Sequence, residues 1–391
     1  MTNIVVLQSG GPTPVINRSL TGVIRKAKEL FPKNHVFGAK HGIEGLISNE
    51  LVDLTELNES DLNMIDQTPG AALGSTRHKA TTIELPLLMN TLSQNQIGIV
   101  HIIGGNDSAE TGLELQKYAS NIKHELQVIN IPKTIDNDLA ETDHCPGFGS
   151  TAKFIALATL GIGKDTMSMG KHAPVAIMEV MGRDTGWLAA AAGMLKNSQD
   201  EPPHFIGIPE QIIDEKDFIN VMDNSLTNYG YAMAVVAENA TTGTQLLKKE
   251  RRPYLTDDFG HKYHDSIGQY LAAKISRELK VRCRFEKPGT IQRSMMALVS
   301  ETDYEEAHLV GQAAVEAAKA GQSNVIINLS PIDNRHDKST TGIVPLEKVA
   351  SRTKTLPKEY QPDTYGRLPD SYKKYLKPLI GQEIPDITRV V

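Results

Sequence analysis

Two cysteines, Cys145 and Cys283, and one tryptophan, Trp187, are all that 391 residues contain of these types. Two thiols make at most one disulfide, which excludes a disulfide-stapled secreted scaffold and fits a reducing compartment. Basic charge is also scarce. Forty-one Lys and Arg stand against 47 Asp and Glu, for a net charge of -6, and no long basic run is present. A general nucleic-acid or membrane surface is therefore not expected. No apolar stretch approaches the roughly 20 residues of a membrane span. The N-terminal residues have no basic region ahead of their short apolar run, so no signal peptide is expected and the expected location is cytoplasmic. A Walker lysine motif and a GxGxxG are both missing, which removes the usual nucleotide signatures.

What is present is apolar content of 40%, enough for a sizeable core, in a length that suggests two domains. Short apolar runs alternate with helical patterns. Ile4–Leu7 reads as a buried strand, followed by a glycine turn and a helix with Ile16, Leu20, Val23, Ile24 and Ala27 on one face. Ile97–Ile103 is a second strand, with a helix from about Ser108. Gln127–Ile131 is a third, with a helix from about Gly149. Val175–Val180 is a fourth, followed by an alanine-rich helix through Trp187 to Leu195. His204–Ile208 and Ala232–Ala237 read as further strands. The alternation predicts an α/β fold of βαβ units with mostly parallel sheets. Residues 241–265 read as a polar surface excursion. Residues 331–391, rich in Pro, Lys and Asp, read as a loosely structured C-terminal extension on the surface.

Four strand ends carry loops with chemical potential. Open α/β sheets bind ligands outside the carboxyl ends of their strands. Ser9-Gly10-Gly11-Pro12 lets backbone N–H groups approach a phosphate. It also fits a plain tight turn. Gly104-Gly105-Asn106-Asp107-Ser108 adds a carboxylate able to hold Mg²⁺, and equally supplies a helix cap in Asp107 or Ser108. Lys133-Thr134-Ile135-Asp136-Asn137-Asp138 offers a base for a hydroxyl proton and an ammonium for a phosphate. Pro132 and its Asn and Asp neighbours also make an ordinary turn. In Met181-Gly182-Arg183 the guanidinium suits a phosphate, or a surface ion pair. Converging in one crevice, these groups suit phosphoryl transfer, where catalysis is mainly positioning and charge stabilisation.

The same residues carry a resemblance. Ser9-Gly10-Gly11, Gly74-Ser75-Thr76-Arg77, Gly104-Gly105, Thr134-Ile135-Asp136-Asn137-Asp138, Met181-Gly182-Arg183 and Ile291-Gln292-Arg293 stand in the order and spacing of the phosphofructokinase family. The likeness covers roughly residues 3–325. It implies two three-layer α/β domains with mostly parallel sheets and an active site in the interdomain cleft. Residues 1–140 with about 250–300 would form a phosphoryl-donor domain, and 141–249 with about 301–330 a sugar-phosphate domain. Within the family the chain resembles the pyrophosphate-dependent bacterial branch. Asp107 and Lys133 stand where ATP-dependent members carry, or often carry, glycine.

The resemblance implies phosphoryl transfer from pyrophosphate to the 1-hydroxyl of fructose 6-phosphate, with Mg²⁺, in a homodimer. Asp136 would be the base, with Lys133 and Asp107 beside it in catalysis. Gly11, Arg77, Gly105, Asn106 and Ser108 would face the donor. Thr134, Ile135, Met181, Gly182, Arg183, Glu238, Thr290 and Arg293 would bind the acceptor, and Arg284 would reach a neighbouring subunit's site. Asn106, Asp107 and Asp138 would meet the metal. Three positions depart from the family pattern. Asn106 replaces an aspartate that helps hold Mg²⁺, Pro174 replaces a cross-subunit arginine for which Lys171 or His172 would substitute, and Thr290 replaces His or Tyr. An Asp107 carboxylate in the cleft would occupy the space and charge of a nucleotide α-phosphate, which pyrophosphate lacks.

Other readings stay open at this level. They are an ATP-dependent kinase, a sedoheptulose 7-phosphate acceptor, and a non-catalytic regulatory subunit of the same fold. The pair His261 and His264 reads as solvated loop histidines, Cys145 as packing, Trp187 as core, and Glu305–Ala320 as an amphipathic packing helix.

Overall fold

The apolar runs form strands buried on both faces, as central strands of a parallel sheet must be. The computed structural model describes residues 2–243, 253–257, 260, 262–263, 265–332 and 335–381. His261 and His264 lie outside the described residues. The chain begins with β1 (Asn3–Gln8), α1 (Ile16–Leu30), β2 (Val36–Ala39), α2 (Ile43–Ile47), β3 (Leu51–Asp53), α3 (Glu59–Asp66), α4 (Leu85–Gln94), β4 (Ile97–Gly104), α5 (Asn106–Asn121) and β5 (Gln127–Pro132). It continues with α6 (Phe148–Met169), β6 (Val175–Val180), α7 (Trp187–Ala191), β7 (Phe205–Gly207), β8 (Ile212–Ile213), α8 (Glu215–Tyr229), β9 (Ala232–Ala237), β10 (Thr241–Thr242), β11 (Leu255–Thr256), β12 (Lys262–Tyr263), α9 (Ile267–Leu279) and β13 (Cys283–Glu286). It closes with α10 (Glu301–Lys319), β14 (Val325–Ile332), β15 (Arg335–Pro345) and α11 (Asp370–Ile380).

Two principal sheets result. The larger has the order β15-β14-β5-β4-β1-β2-β3 and the smaller β13-β6-β9-β7. Pairing is parallel except at the edges of the larger sheet, where β3 and β15 run antiparallel to their neighbours. Alternate residues of the larger sheet feed two cores on its opposite faces. Ile4, Val6, Ile99 and Ile131 face one core, which includes the predicted apolar face of α1. Val5, Leu7, Val100 and Ile102 face the other. A third core surrounds the smaller sheet and takes in Phe148, Trp187, Tyr372 and Tyr375. Among the described residues no helix is long and apolar enough to cross a membrane.

Two expectations need correction. The chain crosses between the sheets the opposite way at its C-terminal end. Strand β13 pairs with β6 in the smaller sheet, whereas β14 pairs with β5 in the larger one. Residues near 283 therefore go with the second unit and residues 301–332 with the first, the reverse of the sequence expectation. The reason is long-range packing: Val325-Ile326-Ile327 forms a buried strand beside β5, and α10 packs along α1.

The segment 335–381 is also not a loose extension. Strand β15 completes the larger sheet. Helix α11 buries Tyr372, Tyr375, Leu376, Leu379 and Ile380. That spacing is the i, i+3, i+4, i+7, i+8 stripe of an amphipathic helix. The neighbouring lysines and the internal Pro378 obscured it. Of the 241–265 segment, Tyr254 and Leu255 are exposed, and residues 244–252, 258–259, 261 and 264 lie outside the described residues.

Candidate active site

The larger sheet places the carboxyl ends of β5, β4 and β1 side by side. Beyond them lie Lys133–Asp138, Gly105–Ser108 and Ser9–Pro12. The smaller sheet contributes the residues after β6 and β9, Met181–Arg183 and Glu238. These loops line one pocket of about 500 Å³ between the sheets. Its wall includes Gly11, Arg77, Gly105, Asn106, Asp107, Ser108, Lys133, Thr134, Ile135, Asp136, Asp138, Met181, Arg183, Glu238 and Arg293.

Lys133 is only 4% exposed. Its Nζ donates to the Gly11 carbonyl at 2.7 Å. Burial, then the nearby Arg183 and Arg293, pull its pKa down to about 7. Asp136 shows the opposite displacement. Burial, then the neighbouring Asp138, push its pKa up to about 7. Both groups respond as buried charges do, each displaced toward its neutral form.

Arg183 lies between two carboxylates. Its Nη1 is 3.7 Å from Asp107 and its Nε 3.7 Å from Asp136. The Arg183 backbone has φ 49, and its N–H donates to Glu238 Oε1 at 3.2 Å. Glu238 has a raised pKa, from burial first. Gly182, at φ +139, has no room for a Cβ because the Thr185 carbonyl would lie 2.9 Å away. Arg293 packs against Gly11, where any Cβ would collide with its guanidinium. Burial and then Arg77 lower the Arg293 pKa, and its Nε is a buried donor with no hydrogen-bond partner among the described residues. Arg77 Nη1 meets Asp257 at 2.9 Å. The pocket thus sets the guanidinium groups of Arg77, Arg183 and Arg293 and the Lys133 ammonium, among other charges, beside Asp107, Asp136, Asp138 and Glu238, an arrangement suited to two anionic substrates.

Asn106 Nδ2 donates to Asp138 Oδ2 at 3.0 Å, while Asn106 Oδ1 is buried with no partner among the described residues. That oxygen and the carboxylates of Asp107 and Asp138 in the same pocket wall are hard-oxygen donors. Among the described residues there is no group of three or more His, Cys, Asp or Glu side chains able to hold a metal by themselves. Such a set fits Mg²⁺, which is usually held by one or two carboxylates together with substrate phosphates.

Ser108 Oγ is turned away from solvent and donates to Ser9 Oγ at 2.8 Å. Thr134 Oγ1 accepts from the Asp136 N–H at 3.1 Å. Thr290 is exposed on a short 3₁₀ turn and is not in the pocket wall. Arg284 sits on edge strand β13, where it meets Asp165 at 2.5 Å and Thr166 at 2.9 Å. Lys171 and His172 are exposed just ahead of β6, at the strand end opposite to Met181.

Sequence reasoning missed several contributors. Lys287, Glu179, Asp184, Asn239 and Tyr254 also line the pocket. Lys287 pairs with the buried Glu179 at 2.7 Å. Gln292 Oε1 accepts from the Met181 N–H at 3.2 Å, tying the Arg293 turn to the β6 loop. Gln292 stands inside the Ile291-Gln292-Arg293 motif, but no motif flags Lys287, Glu179, Asp184, Asn239 or Tyr254. Cys145 and Trp187 are buried as expected, and burial raises the Cys145 thiol to about 12. Both cysteines are free.

A doubly wound sheet pair with this arginine- and lysine-lined, carboxylate-bearing cleft defines a phosphoryl-transfer enzyme. The phosphofructokinase family pattern matches residues 3–318, and the chain belongs to that family. It is 35% identical to the pyrophosphate--fructose 6-phosphate 1-phosphotransferase of Xanthomonas campestris, over 98% of this chain and 92% of that one. The protein of the same name from Rhodospirillum rubrum is 33% identical, over 99% and 96%. The crystal structure of a pyrophosphate-dependent phosphofructokinase from Marinobacter aquaeolei superposes with a TM-score of 0.87 at 32% identity, covering 100% of this chain and 94% of that one.

Proposed function

We propose that this protein is a pyrophosphate-dependent 6-phosphofructokinase. It transfers a phosphoryl group from pyrophosphate to the 1-hydroxyl of fructose 6-phosphate, giving fructose 1,6-bisphosphate and phosphate. The observation that carries the reading is the joint presence of Asp107, Lys133 and Asp136 in one pocket wall, together with full-length relatives that bear this activity in their names.

In this reading Asp136 accepts the proton of the 1-hydroxyl as that oxygen forms its bond to the near phosphorus of pyrophosphate. The bond from that phosphorus to the bridging oxygen breaks, and phosphate leaves. Lys133 and Arg183 stabilise the negative charge that grows on the departing group. A base with a pKa of about 7 is half-ionised near neutrality. It therefore serves as base in one direction and as acid in the other, which suits a reaction run both ways. Bound phosphate charge would keep Lys133 protonated despite its burial. Arg293 and Glu238 would hold the 6-phosphate and hydroxyls of the acceptor, with Met181 and Thr134 beside them. Gly11, Gly105 and Arg77 would face the donor. Asp138, Asp107 and Asn106 Oδ1 would hold Mg²⁺, whose contribution is to neutralise the pyrophosphate oxygens.

Donor choice follows from charge. The Asp107 carboxylate repels a nucleotide α-phosphate, and pyrophosphate has none. The working form in this reading is a cytoplasmic homodimer, the commonest closed assembly, with Arg284 and Lys171 of each chain near the other's acceptor site. Purified protein supplied with pyrophosphate, fructose 6-phosphate and Mg²⁺ should produce fructose 1,6-bisphosphate and phosphate one to one, as read by ³¹P NMR. No bisphosphate under these conditions would overturn the assignment.

A further inference from the structure

The carboxylates Asp136 and Asp138 flank Asn137, a fully buried residue held at φ 54. Left-handed backbone is uncommon outside glycine and persists where surrounding structure fixes it. Both ends of the Asn137 side chain are held by residues beyond the matched family region, which ends at 318. Its Nδ2 donates to Tyr375 Oη at 3.0 Å, and its Oδ1 faces Lys354 Nζ at 3.4 Å. Tyr375 in turn donates its single proton to the Asp143 carbonyl at 3.0 Å. Lys354 Nζ also donates to the carbonyls of Asp143 at 2.8 Å and Thr142 at 3.1 Å.

The main chain is gripped as well. The Lys354 N–H donates to the Asp138 carbonyl at 2.8 Å, and Leu139 bridges Thr353. From the smaller sheet's side, Thr185 Oγ1 donates to the Asp136 carbonyl at 3.1 Å. Lys354 is itself fixed, since its carbonyl accepts from Trp187 Nε1 at 3.0 Å. The ammonium and the phenol thus contact the turn between the two carboxylates without lining the pocket.

We propose that the C-terminal segment positions the reacting loop, with Tyr375 and Lys354 as positioning residues that hold Asn137 and thereby aim Asp136 and Asp138 into the pocket. The inference rests on the phosphoryl-transfer reading of that pocket. A buried donor or acceptor left unpaired is costly, so loss of either contact lets the turn relax. A misplacement near 1 Å costs rate on the order of 10²-fold. Binding of substrates through Arg293, Arg77 and Glu238 should be little affected, because those side chains are carried by other loops.

The test compares Tyr375→Phe with Tyr372→Phe. Tyr372 lies one turn earlier on α11, is equally buried, and donates to the Trp187 carbonyl at 2.6 Å, but makes no hydrogen bond to the loop. Each variant loses one buried hydroxyl. Tyr375→Phe should lower kcat by about 10- to 100-fold with both KM values within twofold of wild type. Tyr372→Phe should keep kcat within twofold. Equal kcat in the two variants, or a Tyr375→Phe loss expressed in KM, overturns the positioning role. If Tyr375→Phe does not fold, Lys354→Gln gives the same reading, with a kcat loss expected and an unchanged kcat contradicting the proposal. Wild-type activity measured alongside separates the two claims. An inactive wild type fails the functional reading, whereas an active wild type matched by Tyr375→Phe fails only this one.

Discussion

The ammonium of Lys133 donates to the main-chain carbonyl of Gly11 over 2.7 Å, so a residue after β5 is fastened to the glycine turn after β1. The contact points a buried positive charge at the place where the donor's phosphates would meet backbone N–H groups. Gly10 itself sits at φ +75, a backbone conformation that favours glycine, and a Cβ there would lie 3.3 Å from Lys133 Nζ, while a Cβ at Gly11 would displace the Arg293 guanidinium.

Lys133→Ala should therefore cut kcat with pyrophosphate by roughly 10²–10³-fold, the scale for removing one preorganised charge stabiliser. The KM for fructose 6-phosphate should change little. Steady-state kinetics with each substrate varied would check this. A variant that keeps wild-type kcat would remove Lys133 from the chemistry.

Asp136→Asn should lower kcat by about 10²–10⁴-fold while the acceptor still binds. The pH dependence has a definite sign. With its pKa raised to about 7, Asp136 is protonated and idle as a base below that pH. The forward rate should rise as pH climbs through about 7, and the reverse rate, which needs the acid form, should fall over the same range. Parallel pH profiles in both directions would contradict the assignment.

The same displacement predicts a stability effect. The carboxyl titrates near 7 when folded and near 3.9 when unfolded. Between those values the folded chain holds a proton that the unfolded chain has lost, so stability falls as pH rises through that window. Above it the cost of the buried anion is fully present. Asp136→Asn should accordingly raise Tm at pH 8 relative to wild type, with the difference shrinking toward pH 4. Thermal unfolding at the two pH values reads this out, and a lower Tm at pH 8 would contradict it.

Much of this architecture was legible in the chain. The strands β1, β4, β5, β6 and β9 are predominantly apolar, with single polar residues inside them at His101, Asn130 and Glu179, and each ends in a loop with unusual residue types, so both the sheet edge and its contents could be read together. The short strands β2 and β3 carry no such signal, since β2 spans only Val36–Ala39 and Leu51-Val52-Asp53 at the sheet edge is largely exposed. The assignment of β13 and β14 to their sheets was not legible. It depends on pairings with β6 and β5 that lie far away in sequence, and either order satisfies the local pattern. Tyr375 and Lys354 were invisible for the same reason. Each is unremarkable among its polar neighbours, and its meaning comes from Asn137, more than 200 residues earlier.

Donor selectivity tests the reading most directly. Wild-type protein should be assayed with pyrophosphate and with ATP under identical fructose 6-phosphate and Mg²⁺, beside Asp107→Gly. Repulsion worth a few kcal/mol corresponds to a ratio of at least about 100-fold. The wild type should favour pyrophosphate in kcat/KM by that margin or more. Asp107→Gly should bind ATP measurably and lose part of its pyrophosphate activity. A wild-type protein that prefers ATP would contradict the donor assignment.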